Sequence, residues 1–313
     1  MPSKAAVIQK PPVLLNREAT IAGALESIEE AAGQGASLLV FPEAFIPGYP
    51  SWVWRLRPGG DMALSGELHA RLRENAVDLN QNHLAPLTNA AAKHGLTIVC
   101  GLNEIDSQYS GTTIFNTVVT IGPKGQILNR HRKLMPTNPE RMVWGFGDAS
   151  GLKVVDTPAG RIGALICWES YMPLARYALY SQDIDIYVAP TWDTGEGWLA
   201  TMRHIAKEGG CWVIGTATAL QAADIPQDFP ERERLFGKDD WINDGDAVVI
   251  KPNGAIAAGP HTRRKDILYA EIDIEAARRA RRSLDVTGHY SRPDIFSLSV
   301  DRRPLPPVSF LDR

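Results

Sequence analysis

The chain has 313 residues, and its 33 Lys and Arg against 36 Asp and Glu give a formal charge of −3. That balance argues against a nucleic-acid binder, which carries a clear basic excess. Three cysteines in so long a chain exclude a disulfide scaffold, and the length allows a sizeable core without staples. No run approaches the roughly 18 apolar residues of a membrane span. The first ten residues have no apolar stretch of signal-peptide length, so a cytoplasmic protein with reduced thiols is expected.

Along the chain, short apolar runs alternate with helix-like stretches. Strands are expected over residues 5–9, 37–41, 97–102, 114–121, 161–166, 184–189, 211–217, 247–250 and 267–272, all short and rich in Val and Ile. Asn16 is placed to cap a helix running to about Gly33, with Ile21, Leu25 and Ile28 at helical spacing. Residues 68–93 read as two helices broken near His83 and Pro86, and residues 173–181 and 197–208 as two more. Gly122-Pro123-Lys124-Gly125 and Pro252-Asn253-Gly254 read as hairpin turns. Residues 221–240 are polar and hold two prolines, as a surface excursion does. No repeat or linker divides the chain, so one α/β domain over residues 1–313 is expected.

Several chemistries lack their motifs. There is no phosphate loop, no complete dinucleotide fingerprint, no serine elbow, and no His or Cys spacing suited to a metal. No cofactor or metal is therefore expected, and any chemistry falls to side chains.

Three segments place such side chains at strand ends. A strand runs into Phe41-Pro42-Glu43, and a carboxylate there faces the crevice where α/β folds bind ligands. The aromatics that follow would desolvate it and raise its pKa toward that of a useful base. The plain alternative is a solvated loop Glu. Asn129 to Lys133 follows a hairpin, where Lys133 is either part of a solvated basic turn or a donor to developing negative charge. Glu140 lies seven residues on, within reach of a catalytic group. Residues 161–166 end in Cys167, just before a helix. Backbone N–H groups and a helix N-terminus would favour its thiolate, and the Trp168 N–H could serve as an oxyanion donor. Cys100 and Cys211 sit inside apolar runs and read as packing residues.

In this order, Phe41-Pro42-Glu43, His131-Arg132-Lys133 and Cys167-Trp168-Glu169 resemble the Glu, Lys and Cys motifs of the nitrilase, or carbon–nitrogen hydrolase, superfamily. Glu140 matches its second glutamate. The segments 131–137, 144–148, 167–176 and 285–294 resemble the nitrilase branch itself more than the amidases or carbamoylases. The resemblance implies a four-layer α-β-β-α sandwich and a homodimer or larger homo-oligomer; the tail over 295–313 is shorter than many family members carry, a departure that argues against long filaments. It implies hydrolysis of a nitrile to acid and ammonia, with Glu43 as base, Lys133 as charge stabiliser, Cys167 as nucleophile and Glu140 as a holding residue. Water and a small organic nitrile are the implied partners. Tyr49, Trp54, Trp168 and Trp192 are expected as pocket walls suited to an arylaliphatic or aliphatic substituent. An amidase or carbamoylase with the same triad, or a silent binding or structural protein on the same fold, is the competing expectation. His289 stands between a functional and a structural role. Arg278 to Arg282 reads as a solvated or subunit-contact helix face.

Overall fold

The computed structural model describes residues 3–107, 110–306 and 308. In chain order its strands are β1 (Ser3–Ile8), β2 (Leu38–Val40), β3 (Val77–Asp78), β4 (Thr97–Ile105), β5 (Ile114–Ile121), β6 (Ile127–Arg132) and β7 (Val155–Thr157). They continue as β8 (Gly160–Ala164), β9 (Ile186–Pro190), β10 (Trp212–Thr216), β11 (Ala219–Gln221), β12 (Trp241–Ile250), β13 (Ile256–Thr262) and β14 (Ile267–Ile272). The helices are α1 (Arg17–Gly33), α2 (Met62–Asn75), α3 (Ala85–His94), α4 (Pro173–Tyr180), α5 (Glu196–Gly209), α6 (Arg232–Phe236) and α7 (Ile274–Ser283). Among the described residues, none of these helices is long and apolar enough to cross a membrane.

The strands form two sheets, ordered β14-β1-β2-β4-β5-β6 and β11-β12-β10-β9-β8-β7, with β3 added on β4 and β13 on β12. Side chains on a strand point alternately to its two faces. On β1, Ala5 and Val7 pack toward the second sheet, with Ile186, Val188 and Ile214. Ala6 and Ile8 pack with Ile21 and Ile28 of α1 and Leu87 of α3. On the second sheet Tyr187, Ala189 and Val213 face Leu179 of α4 and Met202 and Ile205 of α5. The result is the four-layer α-β-β-α sandwich. Each fully buried Ile or Val contributes on the order of 1.5–3 kcal/mol against exposure.

All nine expected strands form, and the expected caps and turns fall in place. The Asn16 side chain accepts the Ala19 N–H at 3.0 Å and starts α1. The first hairpin extends to Arg132, and the 161–166 strand stops at Ala164. Residues 221–240 run mostly along the surface, as expected, but four apolar side chains anchor them. Ile225, Phe229, Leu235 and Phe236 are buried together with Trp52, and Arg55 donates to the Leu235 carbonyl at 2.9 Å and pairs with Asp239. Average composition places the stretch at the surface and hides these four apolar side chains. The Arg278 to Arg282 run lies on α7, where Arg278 pairs with Glu275, Arg279 with Asp273 and Arg281 with Asp183 and Asp185.

Candidate active site

Four chain segments that leave strand ends build one cavity. The segment after β2 lies across β4, where Ile46 N–H donates to Gly101 O at 3.2 Å and Asn103 N–H donates to Ile46 O at 2.7 Å. This crossing needs a glycine. A Cβ on Gly101 would stand 2.2 Å from Pro42 O and 2.9 Å from Glu43 Cα. The crossing carries Glu43 over toward β5 and the end of β6.

There Glu43 Oε1 accepts from Lys133 Nζ at 2.8 Å and from Asn116 Nδ2 at 2.7 Å. Asn116 also takes the Lys133 backbone N–H on its carbonyl at 2.7 Å, so one β5 residue fixes both. Lys133 Nζ donates a second bond to Glu140 Oε2 at 2.8 Å. Glu140 sits in a short 3-10 turn, Asn138–Met142, where its carboxylate closes a capping box by accepting the Thr137 N–H at 2.7 Å. Its other oxygen accepts from Tyr49 OH at 2.6 Å, and Tyr49 OH accepts from Trp54 Nε1 at 2.9 Å. An unbroken hydrogen-bonded line therefore runs from Trp54 through Tyr49, Glu140 and Lys133 to Glu43.

Burial raises the Glu43 carboxyl to about 7, against the opposing pull of the Lys133 ammonium. Burial alone would lower Lys133, but Glu43, Cys167 and Glu140 outweigh it and hold the ammonium charged. Glu43 Oε2 is buried and, among the described residues, has no hydrogen-bond partner.

Cys167 begins a second 3-10 turn, Cys167–Tyr171, three residues beyond β8. Its φ of 54° lies in the left-handed region, which costs a non-glycine residue on the order of 1–3 kcal/mol and is found at functional turns. Thr191, which follows β9, donates its hydroxyl to Cys167 Sγ at 3.2 Å. The environment does not favour the resting thiolate as the helix-terminus argument expects. Burial first, and then the Glu43 carboxylate, push the thiol up to about 12. A five-residue turn in a buried setting supplies too little field to offset that desolvation. Cys100 and Cys211 are fully buried in the two helix-facing apolar clusters, in line with their expected packing role.

Glu169 ties the lysine and cysteine segments together. Its carboxylate accepts the Leu134 N–H at 2.7 Å, the Ile166 N–H at 2.6 Å and His131 Nε2 at 3.0 Å. Burial opposes its charge, but His131 and the two N–H groups lower its pKa.

The cavity has a volume of about 500 Å³. All four expected wall residues line it. Tyr49 stacks on Trp192 with ring centroids 4.2 Å apart, and Trp168 Nε1 donates to Asp193 Oδ2 at 2.8 Å. Sequence reasoning missed Thr137, Asp193, Trp241, Asn243, Asp244 and Arg263, which also line it. Trp241, Asn243 and Asp244 belong to a strand recognised only from residue 247 onward, and Arg263 follows the hairpin partner of that strand. His289 lies outside the cavity, exposed, with Nε2 3.5 Å from Ser283 O. Among the described residues, no group of three or more His, Cys, Asp or Glu side chains is placed to hold a metal.

The Cys167 thiol, which lines the cavity, and the buried Glu43 carboxylate and Lys133 ammonium bonded behind the lining residue Glu140 equip this site for covalent attack on an electrophilic carbon. The chain belongs to the carbon–nitrogen hydrolase family, whose pattern matches residues 4–282. Among curated proteins it is similar to an aliphatic nitrilase of Sinorhizobium fredii, 41% identical over 302 residues that cover 96% of each chain. It is also similar to a bifunctional nitrilase/nitrile hydratase of Lupinus angustifolius, 39% identical over 98% of this chain and 88% of that one. The fold is shared with Nit3 of Saccharomyces cerevisiae, a nitrilase-superfamily member, at a TM-score of 0.72 and 20% identity, covering 92% of this chain and 96% of that one.

Proposed function

We propose that this protein is a nitrilase that hydrolyses an organic nitrile to the carboxylic acid and ammonia on Cys167. The observation that carries the reading is the division of labour in Glu43. One oxygen is saturated by Lys133 and Asn116, and the other is buried without a partner in a group whose charge acts on Cys167. That free oxygen suits acceptance of the thiol proton. Similarity to nitrilases along nearly the whole chain supports a nitrile as the electrophile.

Burial pushes the thiol up to about 12 and the base up to about 7, so above pH 7 the pair is neutral thiol with carboxylate. Proton transfer to Glu43 then accompanies formation of the S–C bond, as general-base catalysis. Lys133 and the Trp168 N–H stabilise charge developing on the nitrile nitrogen, Glu43 passes the thiol's proton to that nitrogen, and a neutral thioimidate results with Glu43 again ionised. Water activated by Glu43 adds, ammonia leaves, and a thioester remains. A second water releases the acid. Glu140 holds Lys133 in place through its 2.8 Å bond. The aromatic walls Tyr49, Trp54, Trp168 and Trp192 suit an aliphatic or arylaliphatic substituent. The chain acts as one catalytic domain and works as a homodimer or larger homo-oligomer. Exposed Leu174, Ile295 and Phe296 beside one groove of about 1130 Å³ support self-association.

The test is turnover of a nitrile panel that includes phenylacetonitrile, with ammonia, acid and amide quantified against Cys167→Ala. Equal acid and ammonia, absent in the variant, is the expected result. No nitrile turnover, with ammonia released from the matching amides, would replace the reading with an amidase.

A further inference from the structure

Three consecutive residues after β9 each hold a different part of the cavity. Trp192 stacks on Tyr49, Asp193 accepts the Trp168 indole N–H, and Thr191 reaches the sulfur of Cys167. Thr191 is 2% exposed. Its backbone N–H donates to Thr216 O at 2.9 Å, which pins it to the end of β10. Its Oγ1 accepts the Asp193 N–H at 2.8 Å. A backbone amide can only donate, so that bond occupies a lone pair of the hydroxyl and leaves its single proton for another acceptor. Cys167 Sγ, 3.2 Å away, is that acceptor.

We propose that Thr191 is a catalytic residue whose hydroxyl, oriented by the Asp193 N–H, stabilises negative charge on Cys167 Sγ when the nucleophile forms and when it is expelled. The proposal rests on the nitrilase reading for the electrophile but not for the sulfur chemistry. As the S–H bond breaks, its proton passes to Glu43 Oε2 and its electron pair forms the S–C bond. The Thr191 hydroxyl keeps its own proton and strengthens its bond to the sulfur while charge resides there. In the last step water attacks the thioester carbon and the S–C electron pair returns to sulfur. The same hydroxyl receives that thiolate, and Glu43 returns the proton. Glu43 and Glu140 carboxylates face Cys167 and oppose its negative charge, while Lys133 favours it. Lys133 is already divided between the two carboxylates. Thr191 is thus a donor to sulfur that carries no competing partner of opposite charge.

The test is the rate of Cys167 alkylation by iodoacetamide across pH, on the full-length protein without substrate. The variants are Thr191→Val, of the same shape without the hydroxyl, and Thr191→Ser, which keeps it. Loss of a hydrogen bond to a charged group predicts alkylation about 10- to 100-fold slower near pH 8 for Thr191→Val, with the pH midpoint raised by about one unit or more. Thr191→Ser should recover to within about threefold of wild type, since the charge-assisted bond is remade. If Thr191→Val fails to fold, Thr191→Ala removes the hydroxyl without adding a branched methyl and is measured in the same way. A folded Val or Ala variant with the wild-type profile would overturn the proposal. So would a folded Ser variant as slow as Val. Because alkylation needs no nitrile, turnover of amides in place of nitriles would overturn the functional reading and leave this result intact.

Discussion

At the buried inner end of the site, behind the lining residues Glu140 and Cys167, Glu43 and Lys133 are 2% and 1% exposed, whereas the lining residues Trp54 and Trp168, nearer the mouth, are 46% and 45% exposed. The inner end is a network of desolvated charges in which Lys133 meets two carboxylates at 2.8 Å each. Such a network tolerates little change, because removing one partner leaves another buried charge uncompensated. The rest of the lining combines aromatic walls with Asp193, Asp244 and Arg263, and Trp168 donates its indole N–H to Asp193 there. Aromatic walls give area and shape without fixing one substituent. The inner end is therefore built to determine the reaction, and the mouth to determine which nitrile reaches it.

The largest effect should follow from changing the base. Glu43→Gln keeps the shape and removes the acceptor, so kcat should fall about 10³-fold, within the usual range for general-base loss. In the wild type, Glu43 accepts a proton only when ionised. With its pKa raised to about 7, the rate should rise with pH through that value and flatten above it. A pH–rate profile flat from 5 to 8 would separate Glu43 from the proton transfer.

A second effect belongs to the inner end's scaffold and should appear in stability. Glu169→Ala strands His131 and the Leu134 and Ile166 N–H groups, at a cost of about 3–5 kcal/mol read as a denaturant midpoint shift. The wild-type Glu169 pKa is lowered, so its contribution is present above the ordinary carboxylate range and is lost as pH falls through the folded value. An unchanged midpoint would mean that the two motif segments are held together by other contacts.

The smallest effect lies at the mouth. Trp241→Ala should change KM several-fold for arylaliphatic nitriles and leave kcat nearly unchanged, because Trp241 lines the cavity with no hydrogen bond to Glu43, Lys133 or Glu140. A fall in kcat with unchanged KM would break the division between the two regions.

The sequence made the inner end more legible than the mouth, and the reason is physical. Glu43 and Cys167 each follow an apolar run, and such a run's end is visible where it stops at a functional group; Lys133 follows the polar β6 and was legible from the hairpin and the basic run that precede it. The same rule would have reached Thr191, directly after the run Ile186–Pro190. Asn116 also left a mark, as a buried amide within the otherwise apolar and Thr-rich β5. The mouth is assembled by long-range contacts between β9, β12 and the turn after β13. Trp241 and Asp244 gain their place only when the first half of β12 pairs with β11, in a register no local pattern reveals. The anchoring of residues 221–240 escaped notice similarly, since the four buried side chains Ile225, Phe229, Leu235 and Phe236 are diluted by charge. The charge state of Cys167 was read from the helix rule, while burial decides it.

The most direct measurement is the intact mass of the protein, acid-quenched during turnover of phenylacetonitrile. The account predicts an added acyl mass that maps to Cys167 and is absent from Cys167→Ala. Steady nitrile hydrolysis with acid and ammonia released, and with Cys167→Ala as active as wild type and free of any adduct, would contradict it.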